Sequence, residues 1–328
     1  MDNIDLQQEE WIRSQWRGTV ELAQVQKLLG GISSSMYRLD IRLGESNAVK
    51  SFVLRAVQPT DSLNEEQGIL AQEAAVLRQL AVLQDAGQLK HLQVRFPRCI
   101  AYDAYGDCAG IPSLLMTYLQ GQISLPQKPK QQWLRVLAQA IAPIHRATAN
   151  NMLVPWNYYS YVDAAAATEH PALSWSQHPQ RWRSLLDRIQ QPAPSFDPCL
   201  IHRDYHPTNV LWNEEQDQVI GIVDWVSGCN GPAGIDVGHC RINLVQLYGV
   251  DAANTFLEAY LEANPEFEYD PYWDICCLLD MTGFGPIEVY EGWTLLGFQG
   301  LYPQDIQQRI EQYVEDLVQL LHANRYNK

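Results

Sequence analysis

Between Leu200 and Trp225 the chain reads Leu-Ile-His-Arg-Asp-Tyr-His-Pro-Thr-Asn-Val-Leu-Trp, then a polar turn Asn-Glu-Glu-Gln-Asp-Gln, then Val-Ile-Gly-Ile-Val-Asp-Trp. No other stretch restricts the fold as much. Two short apolar runs, 210–212 and 219–223, flank the polar turn and read as a hairpin. Asp204 and Asn209 precede the first strand, on a loop stiffened by Pro207. A hairpin of this length returns Asp224 to the side of Asn209. A carboxylate and an amide oxygen then converge, with a second carboxylate nearby. Hard oxygen donors of that kind suit Mg²⁺, the ion that bridges nucleotide phosphates.

Such a block needs a scaffold. At 328 residues the chain exceeds what one compact core usually holds, so two lobes are expected. Residues 19–57 read as strands: Ser34–Leu43 alternates, Gly44 to Asn47 is a turn, and Ser51–Val57 is β-branched and apolar. Glu65–Leu83 reads as a helix, with Leu70, Ala74, Leu77 and Leu80 at helical spacing. Strand-like runs follow near Arg95–Tyr102 and Ile111–Leu119. After Gly121 the pattern becomes helical. Gln131–Thr148 carries Leu134, Leu137, Ile141, Ile144 and His145 along one stripe, and 180–190, 251–263 and 304–323 are further helices. The expected class is α+β, with a lobe boundary near 118–121: residues 1–118 form a small antiparallel sheet with one helix, and 119–328 form a larger, mostly helical lobe.

Charge placement narrows the partners. The net charge is -15. Residues 1–118 hold 14 acids and 11 bases, while 251–328 hold 14 acids and only 3 bases. A surface so acidic repels nucleic acid and anionic lipid and attracts cations. No run of about 18 apolar residues exists to cross a membrane. The acidic start, Met1 to Asp5, lacks the apolar core of a signal peptide. Seven cysteines without a Cys-x-x-Cys argue for reduced thiols in the cytoplasm.

His202-Arg203-Asp204 followed by Asn209 matches the kinase catalytic-loop pattern. With His206-Pro207 and Asp224-Trp225 it resembles the aminoglycoside phosphotransferase and choline kinase-like family rather than the protein kinases. The resemblance implies a two-lobed protein-kinase-like fold, with the first lobe binding nucleotide and the second carrying catalysis and substrate. It implies that Asp204 serves as base or positioning group for an attacking hydroxyl, and that Asn209 and Asp224 hold Mg²⁺. It further implies that Asp236, in Gly234-Ile235-Asp236, braces the catalytic loop, with His202 packing there as a structural residue.

Upstream, Gly30, Gly31, Ser33, Ser34 and Ser35 lie between two strands and resemble that family's phosphate loop, where small residues let backbone N–H groups approach phosphate. Arg55 stands on the third strand where kinases usually carry Lys; Lys50, five residues earlier, points to the other face. Glu73 on the following helix is the expected bidentate partner of Arg55. Leu114 to Gly121 looks like the hinge, with the backbone near Thr117 and Leu119 reading a purine edge and Met116 limiting pocket depth. ATP and GTP are equally compatible.

No long activation segment and no Ala-Pro-Glu follow Asp224, so a small hydroxyl compound is expected as substrate, with no obligate protein partner. Among the C-terminal acids, Asp274, Asp280, Glu288 and Glu291, with Trp293, are candidates for a cationic, aminoglycoside-like acceptor. Two alternatives share the same motifs: a metabolic kinase of choline, homoserine or a sugar, and a nucleotide-binding pseudokinase regulator, to which Arg55 gives its support.

Overall fold

The computed structural model describes residues 4–28, 34–44, 48–57, 63–89, 92–160, 170–283 and 286–326. The chain divides into two compact units. The first comprises Met1–Gly121 with Gly221–Gly228, and the second comprises Gln122–Ile220 with Cys229–Lys328. The division differs from a single cut near residue 119, because one short segment of the hairpin belongs to the first unit.

The first unit opens with α1 (Leu6–Ser14), started by a capping box in which Asp5 and Gln8 satisfy each other's backbone N–H groups. Strands β1 (Val20–Lys27), β2 (Ser35–Leu43) and β3 (Val49–Ala56) follow, then α2 (Leu63–Asp85), β4 (Cys99–Asp103) and β5 (Ser113–Thr117). The sheet order is β1-β2-β3-β5-β4, antiparallel throughout. The period-two rule separates its faces. Phe52 and Leu54 turn toward Trp11, Ile12, Leu39, Ile41 and Leu115 in one core. Val53 and Arg55 turn the other way, and Arg55 meets Glu73 of α2.

Three contacts draw the 221–228 segment into this unit. The Ile222 N–H donates to the Arg95 carbonyl at 3.1 Å. Trp225 stands edge-on to Phe96. Gln72 on α2 donates through Nε2 to the Gly228 carbonyl at 2.9 Å.

The second unit holds β6 (Gln122–Ile123), α3 (Gln131–Thr148), α4 (Ala172–Trp175), α5 (Pro179–Ile189), β7 (Pro198–Ile201), β8 (Val210–Trp212), β9 (Val219–Ile222) and β10 (Cys229–Pro232). Strand β9 runs on into the first unit at Gly221. Helices α6 (Ala233–Tyr248), α7 (Val250–Ala263), α8 (Tyr272–Thr282), α9 (Glu291–Leu295) and α10 (Pro303–Tyr326) complete the unit. α6 is central, touching α7, α8 and α10, and it is buried on nearly every side. That burial explains why it shows no amphipathic period in the sequence. It also needs close approach. A Cβ on Gly234 would lie 2.3 Å from the Trp273 ring, and one on Gly238 would lie 2.9 Å from the Trp273 carbonyl.

Among the described residues, no helix is long and apolar enough to cross a membrane.

Candidate active site

The loop after β7 is shaped by one buried carboxylate. Asp236, in the first turn of α6, accepts the His202 N–H at 2.7 Å and the Arg203 N–H at 2.6 Å. The same carboxylate meets His145 Nε2 at 2.9 Å, and His145 Nδ1 pairs with the Tyr260 hydroxyl at 2.6 Å. Arg203 is left-handed, with φ 67°. Such a conformation costs a non-glycine residue about 1–2 kcal/mol, and two charge-assisted hydrogen bonds on adjacent N–H groups offset it. Arg203 also lies over the Tyr159 ring, 4.2 Å from its centroid. His202 is fully buried and its Nδ1 accepts the Asp204 N–H at 3.3 Å. Its ring orders the loop and does not reach the cavity described below.

This bracing sets the direction of Asp204. Its Oδ1 lies 2.9 Å from His239 Nε2 and 3.5 Å from His206 Nε2. Asn209, on the short turn Pro207–Asn209, donates through Nδ2 to the Asp204 carbonyl at 2.9 Å and to Asp204 Oδ2 at 3.1 Å. Burial alone would push the Asp204 carboxyl up, but the imidazoles of His206 and His239 beside it hold it well below the usual carboxylate range. Asn209 spends its amide hydrogens on Asp204, so Oδ1 is the atom it can offer a hard cation.

Asp204, His206 and His239 line a cavity of about 510 Å³, together with Glu288, Glu291 and Trp293. Both glutamates are exposed, and Trp293 is a buried wall. His239 was not singled out from the sequence. It sits three residues after Asp236 on α6, hence on the same helix face one turn on. Once Asp236 is assigned to the loop, that spacing is the signal that finds it.

Asp274 does not belong to this cavity, contrary to the expectation from composition. It is 1% exposed and accepts from Arg241 Nη1 at 2.7 Å, while the Tyr313 hydroxyl donates to the same oxygen. Arg241 also reaches the Tyr269 hydroxyl and Asn254 Oδ1. This buried ion pair holds α6 to α8, and its Asp274 Oδ1 already accepts from both Arg241 and Tyr313. Asp280 lies half-buried on the same helix, outside the cavity lining, where its charge opposes ionisation of Tyr158, Cys276 and Cys277.

In the first unit Arg55 serves two carboxylates. Its Nε lies 3.3 Å from Glu73 Oε2, and its Nη2 donates to Asp224 Oδ1 at 2.7 Å. The expected bidentate pair with Glu73 is therefore replaced by one contact to each acid. Burial would lower the Arg55 pKa, yet Asp224 and Glu73 together hold it above its ordinary value. Burial pushes Glu73 up to about 7, because Arg55 only partly compensates and Asp224 competes for it. Asp224 is left-handed, with φ 65°, a second strained non-glycine residue. Its other oxygen remains a hard donor of the type Mg²⁺ takes. Asp224 contacts Arg55 within the first unit, and Asn209 contacts Asp204 within the second.

Met116 is buried on β5, opposite Val53 and Cys99. The Thr117 N–H donates to the Arg98 carbonyl and the Tyr118 N–H to the Ser51 carbonyl, so those two donors are already committed. Leu119 follows, half-buried. Ser35 begins β2 opposite Ala56, and Ser34 precedes it. Gly30, Gly31 and Ser33 lie outside the described residues.

A five-stranded antiparallel sheet with one long helix, followed by a helical unit carrying a braced His-Arg-Asp loop, defines an α+β kinase-like fold. Its solved relatives have that fold. An aminoglycoside phosphotransferase assignment from Ralstonia eutropha superposes with a TM-score of 0.57 at 15% identity, covering 97% of this chain and 98% of that one. The gentamicin complex of APH(2")-IIa gives 0.53 at 13% identity, with 97% of both chains covered. The streptomycin and ATP ternary complex of the same enzyme gives 0.52 at 15% identity, with 93% and 99% covered.

The model of the phosphotransferase enzyme family matches residues 24–273, and the chain belongs to that family. Among curated proteins, it is 27% identical to a homoserine kinase of Rhizobium johnstonii over 174 residues, 49% of this chain and 51% of that protein. It is 26% identical to an Arabidopsis thaliana protein assigned as acyl-CoA dehydrogenase IBR3 over 226 residues, 62% of this chain. The chain thus spans about half the length of the first relative and 26% of the second.

Proposed function

We propose that this phosphotransferase moves the γ-phosphate of a magnesium-bound nucleotide, ATP or GTP, onto a hydroxyl of a small amine-bearing alcohol. The observation that carries the reading is Asp204: its carboxylate is oriented by Asn209 and His239 and faces a cavity whose rim bears Glu288 and Glu291. The acceptor hydroxyl would donate its hydrogen bond to Asp204. A carboxylate held below its usual range is a weak base, so its main contribution is alignment, with proton uptake late in the transfer. Asn209 and Asp224 are the oxygen donors suited to Mg²⁺, which supplies neutralisation of phosphate charge. Arg55, freed from Asp224, and the loop over residues 30–35 are assigned to the phosphates, and the segment around Met116, Thr117 and Leu119 to the base. The two glutamates supply attraction for an ammonium, worth about 1 kcal/mol each in water-like surroundings and about 4 kcal/mol where partly screened from water.

The test is nucleotide consumption with Mg²⁺ against aminoglycosides, macrolides, choline, homoserine and sugars, beside Asp204→Asn. One acceptor should turn over, and the variant should lose about 10²–10⁴ of the rate. Undiminished turnover in the variant would remove Asp204 from the mechanism. The likeness to a homoserine kinase favours a second reading, in which the acceptor is a compact metabolic amino alcohol rather than a polycationic antibiotic. Homoserine or choline then outperforms every aminoglycoside in the same panel.

A further inference from the structure

The cluster around Asp204 holds more donors than phosphoryl transfer calls for. Asp204 Oδ1, His206 Nε2 and His239 Nε2 all lie within 4.8 Å of one another. The two nitrogens stand 3.5 and 2.9 Å from the shared oxygen. Ligand atoms about 2.0–2.2 Å from one tetrahedral or octahedral ion are about 2.8–3.6 Å apart, so these two separations already match a coordination shell.

The cluster also brings acceptors together. With its proton on Nδ1, toward Thr208, His206 presents an Nε2 lone pair that Asn209 Nδ2 reaches at 3.2 Å. The Asn209 nitrogen serves two oxygens of Asp204 as well, so its two hydrogens are shared among three acceptors. The Nε2 lone pair and Asp204 Oδ1 then stand 3.5 Å apart. A cation between them would take a lone pair from each.

We propose that Asp204, His206 and His239 form a binding site for a borderline divalent ion such as Zn²⁺, distinct from the Mg²⁺ that accompanies nucleotide. Two imidazoles and one carboxylate suit Zn²⁺ or Co²⁺, whereas Mg²⁺ prefers an all-oxygen shell. The ligands are held from behind. His206 Nδ1 pairs with Thr208 Oγ1 at 3.0 Å, Asn209 fixes Asp204 Oδ2, and Asp236 braces the loop and starts the helix that carries His239. The fourth position opens on the cavity. Occupation takes the Oδ1 lone pair from Asp204, so the loaded chain is a shut phosphotransferase. That last consequence rests on the function proposed above; binding itself does not.

The test uses the full chain, stripped with a chelator, in buffer with millimolar Mg²⁺. Titration with Co²⁺ should give a visible ligand-field band that saturates at one equivalent and is displaced by Zn²⁺. Calorimetry with Zn²⁺ should give the same stoichiometry. His206→Ala and His239→Ala should each weaken Zn²⁺ binding at least tenfold, while Cys108→Ser, which removes the exposed thiol, should leave it unchanged. Absence of a one-equivalent site in the wild type overturns the proposal. So does binding that both histidine variants retain, in chains whose circular dichroism matches the wild type. Inhibition of turnover by Zn²⁺ is read separately, so a chain that binds Zn²⁺ but phosphorylates nothing refutes the kinase reading and not the site.

Discussion

Replacing Arg55 by Lys tests the arrangement that departs furthest from the usual kinase pattern. The guanidinium reaches two acids by two different nitrogens, Nε to Glu73 at 3.3 Å and Nη2 to Asp224 at 2.7 Å. A lysine has one ammonium and a narrower reach, so it keeps one contact and abandons the other. Asp224 is partly exposed and water can replace its partner; Glu73 is 1% exposed and water cannot. Full loss of a partner from a buried pair costs about 3–5 kcal/mol. Two features reduce the cost for Lys: its charge stays nearby, and Glu73 already takes up a proton near neutral pH. The expected loss is about 1–3 kcal/mol, and Arg55→Met should lose about 3–5 kcal/mol. Urea unfolding followed by tryptophan fluorescence measures both, and nucleotide binding by the folded variants reads the phosphate role separately. Equal stability of Arg55→Lys and wild type, within about 0.5 kcal/mol, would mean that the bridging contact contributes nothing to the fold.

Other outcomes follow from the same physics. Asp274→Asn leaves the Arg241 charge buried and short of its partner, so it should lower stability by about 3–5 kcal/mol without changing the acceptor KM of the protein that remains folded; a selective KM change would return Asp274 to the substrate site. Gly234→Ala adds a methyl 2.3 Å from the Trp273 ring and should destabilise by about 1–3 kcal/mol despite its better helix propensity, as thermal unfolding would show. Glu73 titrates near 7 in the folded chain against 4.5 ordinarily, so between those values the folded state binds more protons than the unfolded one. Its contribution is therefore complete below about 4.5 and is lost as pH rises through 7. Glu73→Gln should flatten that part of the stability profile, and an unchanged slope in unfolding at pH 5 and pH 7.5 would refute the assignment.

How far the sequence could be read depends on what each pattern records. The hairpin 210–223, the helix Gln131–Thr148 and the strands to either side of Gly44 were legible because each has one face in the core and one in water, which writes a period into the residues. α6 and α8 were not legible as helices. Both are buried nearly all round, and a helix without a polar face has no stripe to find. α1 was missed for another reason: its start is written in a capping box, Asp5 with Gln8, rather than in apolar spacing.

The site divides in the same way. Local spacing determined Asp204 and Asn209 on one loop, because five residues on a proline-stiffened turn leave little freedom, while Asp236 came from the family resemblance. Composition, by contrast, grouped Asp274 with Glu288 and Glu291 as equal acids. Only the tertiary structure separated them, burying Asp274 against Arg241 and leaving the glutamates on the cavity. It also brought His239 to Asp204 and gave Arg55 to Asp224 across 169 residues of chain. The physical reason is range. Hydrogen bonds within a turn are set by neighbouring torsions, which a sequence states directly. The partner of a buried charge is set by which surfaces pack together, and packing is decided by the whole chain at once.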